Sequence, residues 1–211
     1  MGSYTKQDIR RMIEEEDVEF IRLQFTDLFG SLKNIAVTTS QLDRILENRI
    51  SFDGASIQGF VGIEDSDLFL HPDLDTFTIF PWRPQQGKVA RLLCDVYWPD
   101  GAPFEGSPRH ILRRAVEDAR RMGFILDVGL ECEFFLFHLD DHGNPTTITH
   151  EQAGFFDVSP LDQAENVRRD IMLTLEEMGF DIESSHHEIA AGQHEIDFHY
   201  SDALSMADDI M

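Results

Sequence analysis

The stretch GLECEFFLF, residues 129–137, decides how the rest of the chain is read. Its Phe, Leu and Cys residues favour a packed, pleated strand. Glu131 and Glu133 stand two residues apart, and side chains at that spacing share one face of a strand. Two carboxylates therefore leave an apolar segment in the same direction. Buried like charges raise the cost of ionising each other. Three arrangements resolve this: one acid is protonated, cations hold both, or the polar edge faces water. Hard Mg²⁺ or Mn²⁺ suits carboxylate oxygens. Taken by itself, an E-x-E pair favours the solvated edge, because acids are normally exposed.

The block HHEIAAGQHEID, residues 186–197, moves that balance. It reads as a strand, a tight turn at Gly192 and a second strand. Antiparallel strands joined this way are expected to bring Glu188 and Glu195 across from one another. Each acid run also follows the same prelude. A helix over 108–122 ends at Gly123-Phe124 and a helix over 164–178 ends at Gly179-Phe180, each followed by a strand that delivers an acid. Two equivalent sheet elements would then bring carboxylates to one place. His186, His187, His194 and His199 lack the closed tetrahedral Cys/His spacing of a structural zinc site. Acid oxygens dominate, which points again to Mg²⁺ or Mn²⁺.

Upstream, Thr5 is placed to cap a helix over 5–16, with Asp8 at the third position. Val18–Phe25 and Leu32–Val37 read as a hairpin turning at Gly30. Ser40 is expected to cap a short helix to about Asn48. A strand pair is expected near Asp67–His71 and Phe77–Phe80, and Val89–Trp98 is the strongest strand of this half. Residues 1–104 thus read as a small sheet crossed by one or two helices. The segment FDGASIQGF, residues 52–60, reads as a surface loop, the alternative being an ordered loop that presents Asp53. A boundary falls near Pro99–Pro108, where Ser107-Pro108 starts a helix. Phe124 is expected to open the strand that contains GLECEFFLF, and 140–156 to form a turn and a loop.

The chain has 211 residues, room for one large domain or two small ones. Seventeen basic residues face forty acidic ones, a net charge of -23, which argues against a nucleic-acid or anionic-membrane partner. Cys94 and Cys132 lie in apolar strands, the usual setting of inert thiols. The first thirty residues are charged and helical, unlike a signal peptide or a membrane span, so a cytoplasmic protein is expected.

The motifs GLECEFFLF, FDGASIQGF and HHEIAAGQHEID, with IEDSDLFLHPD (63–73) and SPRHILRRA (107–115), occur in an order that resembles the N-terminal half of a type I glutamine synthetase. The resemblance implies an α+β fold. A small β-grasp-like domain over 1–104 would precede the first part of an antiparallel-sheet catalytic domain over 105–211. It implies ATP-dependent ligation of ammonia to L-glutamate, through γ-glutamyl phosphate, with two Mg²⁺ or Mn²⁺ ions per site. By that resemblance, Glu133, Glu188 and Glu195 look like the ligands of one ion and Glu131 like a ligand of the other. Glu183 matches an ATP-binding position. Asp53 matches the aspartate that deprotonates ammonium, offered to the neighbouring subunit of a dodecamer of two stacked hexameric rings.

Three departures accompany the match. The chain stops at Met211, where the family continues for about as many residues again. It would therefore lack further metal ligands, substrate arginines and most of the adenine pocket, and is expected to be inactive alone. Gly62 stands where many relatives carry an arginine tied to feedback control, and Ala55 where Ser is common. The alternatives are a ligase of the same fold acting on another amine, a non-catalytic regulatory or oligomerisation fragment, and an acidic metal-binding protein without a reaction.

Overall fold

A computed structural model of the chain describes residues 4–82 and 86–211. It falls into two compact units, residues 1–126 with 203–211, and residues 127–202. The division expected at 104/105 runs through the first unit. The reason is that the helix after it, α3 (Pro108–Arg121), packs on the sheet of residues 1–104 and on α5 (Ala203–Ile210). No helix among the described residues is long and apolar enough to cross a membrane.

The first unit starts with α1 (Lys6–Glu15). Thr5 Oγ1 accepts from Asp8 N and the Asp8 carboxylate accepts from Thr5 N, a reciprocal cap. β1 (Val18–Thr26) and β2 (Leu32–Thr38) form the expected hairpin, with Gly30 at φ +77°. Next come α2 (Leu42–Leu46), β3 (Ile50–Asp53), β4 (Asp67–Pro72), β5 (Thr78–Ile79) and β6 (Lys88–Tyr97). The sheet runs β2-β1-β6-β4-β3, with β5 also on β6, and β1 and β6 are parallel. β6 is ten residues long and buried along most of its length, so it can hold β1 on one edge and both β4 and β5 on the other. β4 and β5 therefore lie one after the other along β6 and do not pair together as expected. Ile9, Ile13, Ile45 and Leu46 pack into one core with Ile21, Leu23, Leu70 and Leu92. Ser40 does not cap α2: a 3-10 turn over Thr39–Gln41 precedes the helix, and no side chain caps either element.

The second unit holds β7 (Asp127–Val128), β8 (Glu131–Phe135), β9 (Phe137–Leu139), β10 (Pro145–Thr149), α4 (Glu165–Glu177), β11 (Ile182–His187), β12 (Gln193–Phe198) and β13 (Ser201–Asp202). Its main sheet is β11-β12-β8, antiparallel throughout. β9 pairs β10, and β7 pairs β13. α3 and α4 end alike. The glycine N–H returns to Arg120 or Glu176, and the next Phe N–H to Ala119 or Leu175, a double bond pattern that left-handed glycines at φ +87° and +93° permit. Phe124 does not open the strand as expected. The first short strand begins at Asp127 and the E-x-E strand at Glu131.

A candidate metal centre on one face of the β11-β12-β8 sheet

β12 is the middle strand, and its alternation sets the chemistry. Glu195 pairs in register with Glu133 of β8 and His186 of β11; Asp197 pairs with Glu131 and Ser184. Directly paired residues share a face. Glu131, Glu133, His186, Glu195 and Asp197 therefore occupy one side of the sheet. Glu188 does not stand across from Glu195 as expected. β11 ends at His187, and Glu188 sits one step into the turn, where its N–H donates to Gln193 O at 2.8 Å. It shares the parity of His186 and reaches the same side.

Two groups of ligand atoms converge there, each within 4.8 Å: His186, Glu188 and Glu195, and Glu131, Glu195 and Asp197. His186 bridges the carboxylates, with Nδ1 3.5 Å from Glu188 and Nε2 3.4 Å from Glu195. Glu195 is buried, and burial, then Glu188 and Asp197, push its carboxyl up to about 7. Glu131 and Glu133 are exposed rather than buried, because β8 is the edge strand of the sheet and their side opens to solvent. Glu133 lies outside both groups; its carboxylate accepts from Gln193 Nε2. Asp197 and His186 are additions to the acids singled out from the sequence. The period-two run Gln193, Glu195, Asp197 was the available signal for Asp197.

Glu183 also reaches this side. Strict alternation would turn it away from His186. A register shift in β11, where Ile182 faces Phe198 but Ser184 already faces Asp197, leaves Glu183 as an extra residue. Such bulges re-aim side chains, and Glu183 lines the same cleft of about 480 Å³ as Glu131, Glu188 and Glu195. Phe155 lines it too, stacked on Phe156 at 3.9 Å, with both rings edge-on to His186.

The opposite face carries a buried polar cluster. His187 and His194 are fully buried. Arg168 donates to Asp162 at 2.6 Å and to His194 Nδ1 at 2.9 Å. Burial opposes the Asp162 charge, but Arg168 and the Ala164 N–H hold its carboxyl below the ordinary range. Burial, then the positive charge of Arg168, lowers His194 to about 4. His187 has an acceptor at each nitrogen, the Glu188 carbonyl at 2.6 Å and Glu151 at 2.9 Å. Burial works against its charge, yet Glu151 holds the ring above its ordinary range. A third convergent group, His150, Glu151 and His194, lies on this side. It does not suit a cation. His194 Nδ1 is occupied by an Arg168 N–H, so the ring proton sits on Nε2, and neither nitrogen has a free lone pair.

Asp53 belongs to the first unit and ends β3. Its carboxylate accepts from Ala55 N at 3.0 Å and Ser56 Oγ at 2.6 Å, and the residue is exposed. The loop behind it is ordered by packing. Gly54 is buried, and a Cβ there would meet Leu68 Cδ1 at 2.6 Å.

The glutamine synthetase β-Grasp domain family matches residues 17–99, and the glutamine synthetase catalytic domain family matches residues 105–211. The glutamine synthetase of Clostridium saccharobutylicum is 62% identical over 211 residues, covering 100% of this chain and 48% of that protein. That of Staphylococcus aureus strain N315 is 57% identical over 209 residues, covering 99% and 47%. A solved GmaS/ADP complex superposes with a TM-score of 0.83 at 29% identity, over 95% of this chain and 46% of that one. The glutamine synthetase of Plasmodium falciparum, at 23% identity and a TM-score of 0.82 over 99% of this chain and 46% of that one, shares the fold. The chain spans about half the length of the curated relatives it matches. Matched by both domain families in chain order, it belongs to the glutamine synthetase family.

Proposed function

We propose that the chain supplies a β-grasp domain (1–104) and the first part of the catalytic domain (105–211) of an ATP-dependent glutamate–ammonia ligase. One observation carries this reading: carboxylates from three neighbouring chain segments converge on one sheet face, within residues matched by the catalytic-domain family. The donor set fits hard divalent ions, because Glu188 and Asp197 crowd Glu195 and a cation relieves that repulsion. Glu133, Glu188 and Glu195 would hold one Mg²⁺ or Mn²⁺, and Glu131 the other. When bound, such ions neutralise phosphoryl charge.

The chain's own residues do the remaining work. Glu183, turned into the cleft by the bulge, contributes to ATP binding; the ADP of the GmaS complex supports a nucleotide in this fold. ATP phosphorylates the γ-carboxylate of glutamate, and ammonia then displaces phosphate to give glutamine. Asp53 takes the proton from ammonium as a general base, held by Ala55 and Ser56 in one orientation. The expected assembly is a cytoplasmic homo-oligomer, a dodecamer in which Asp53 serves the neighbouring subunit. The test is product analysis on the complete gene product. Glutamine, ADP and phosphate should form in equal amounts, with an absolute requirement for Mg²⁺ or Mn²⁺. ADP release that ignores glutamate and ammonium would refute the reading.

A further inference from the structure

We infer that Glu151 is a positioning residue for the metal-binding turn 188–193, holding it from the back face and acting on Glu188 through His187. The inference rests on the metal reading above. The Glu151 side chain is 1% exposed. Its Oε1 accepts from Gly192 N at 2.5 Å and from His187 Nε2 at 2.9 Å, and its Oε2 from Ala153 N. His187 in turn donates from Nδ1 to the Glu188 carbonyl at 2.6 Å. One buried carboxylate therefore fixes both ends of the turn. It grips Gly192 directly at the far end and the Glu188 carbonyl, through the imidazole, at the near end. The Glu188 side chain leaves on the opposite face, toward Glu195. Glu151 itself lines no part of the carboxylate cleft. Its effect on the cleft is confined to where the Glu188 backbone sits.

The bonding is specific to a carboxylate. Three donors converge on its two oxygens. An amide of the same shape offers one acceptor oxygen and places N–H against a donor. Glu151→Gln should therefore loosen the turn without emptying the core. Partners that orient metal ligands from behind typically matter by 10–100-fold in affinity, about the change expected here.

The test measures Mn²⁺ binding to the chain by electron paramagnetic resonance, with thermal melts of the metal-free proteins alongside. Wild type should bind Mn²⁺. E151Q should bind about 10–100-fold more weakly, with a broadened bound-Mn²⁺ spectrum and a cooperative melt, and E151D, which keeps the charge, should recover part of the loss. H187Q keeps a donor toward Glu151 and loses the one to Glu188, and should show the same broadening. It decides the question if E151Q does not fold. Wild-type affinity and spectrum in both E151Q and H187Q would overturn the inference. So would equal losses in E151Q and E151D that merely follow lost stability. Absence of Mn²⁺ binding by the wild type would instead refute the metal reading beneath it.

Discussion

Replacing Arg109 by Met tests how the first unit is held together. Arg109 has 10% side-chain exposure and meets three carboxylates. Nη2 lies 2.7 Å from both Asp73 and Asp208, and Nε donates to Asp208 at 2.9 Å. Nη1 is 2.9 Å from Asp95 Oδ1, a charge contact without hydrogen-bond alignment. Met keeps the apolar stem and removes the charge. Three half-buried acids would then face one another, and breaking a buried pair on one side costs about 3–5 kcal/mol. Arg113, 3.0 Å from Asp95 but 44% exposed, remains as a partial counter-ion and keeps the cost toward the lower end. A loss of about 3 kcal/mol corresponds to a melting shift of roughly 6–12 °C in a chain of this size. Arg109→Lys keeps the charge but loses the planar fork and should fall between the two.

The pH dependence separates this from lost packing. Burial opposes the charge on Asp73, but Arg109 holds its carboxyl below the ordinary range. That contribution is present above the unfolded carboxyl range and lost as pH falls through the folded one. In the variant Asp73 loses that partner while its burial remains, so burial would favour its protonated form and the folded state would take up a proton there first. The deficit should therefore shrink as pH falls from 7 toward 4. Urea denaturation followed by circular dichroism at pH 7 and pH 5 reads both quantities. A deficit below about 1 kcal/mol, or an equal deficit at the two pH values, would refute the reasoning.

Three further outcomes follow from named contacts. Burial pushes the Glu195 carboxyl up to about 7 in the folded chain against an ordinary 4.5, so the metal-free chain should lose stability as pH rises between them. The loss is at most about 3 kcal/mol; melts at pH 5 and pH 8 should show it, Mn²⁺ should reverse it, and Glu195→Gln should flatten it. Gly192→Ala places a Cβ 2.8 Å from Thr149 Cγ2 and 3.1 Å from the Leu136 carbonyl, at φ +67°. Denaturation of the second unit should show a loss of about 2–3 kcal/mol from left-handed strain and overpacking. Asp53→Ala removes only two short-range acceptor contacts at an exposed site. Stability should change by less than about 1 kcal/mol; glutamine formation by the complete gene product should fall about 10²–10⁴-fold, the usual contribution of a general base.

Local chemistry was readable from the sequence. The Thr5/Asp8 cap, the hairpin at Gly30 and the glycine stops at Gly123 and Gly179 each depend on residues a few positions apart. Pairings over long separations were not. Nothing local to β1 and β6 says they run parallel, and β3 is too short to stand out. Ser107 matches a capping residue by type and starts the helix, but its side chain makes no cap bond. Glu183 escaped the alternation rule because its bulge is set by the pairing of β11 with β12, not by the residues of one strand. Glu151 gave no signal at all. It lies in a loop after β10, and its partners His187 and Gly192 are 36 and 41 residues away.

The alternation in HHEIAAGQHEID does more than choose which residues are buried. It divides two charge regimes across one strand thickness. Behind the sheet, Glu151 is matched by His187 and Asp162 by Arg168, so burying these groups leaves no net charge to neutralise. In front, Glu131, Glu133, Glu188, Glu195 and Asp197 face a single imidazole, His186. Only the front has charge left over for a cation, which is why the more deeply buried His187 and His194 are poor ligands despite their chemistry. A one-residue slip of β12 would exchange the faces. Slipped so that Glu195 takes the place of His194 opposite Phe134 and beside Arg168, β12 would set Ile196 beside Glu133 and Phe198 beside Glu131. The register of β12 is thus itself part of the site, and the contacts that fix it from behind belong to the metal chemistry as much as the carboxylates in front.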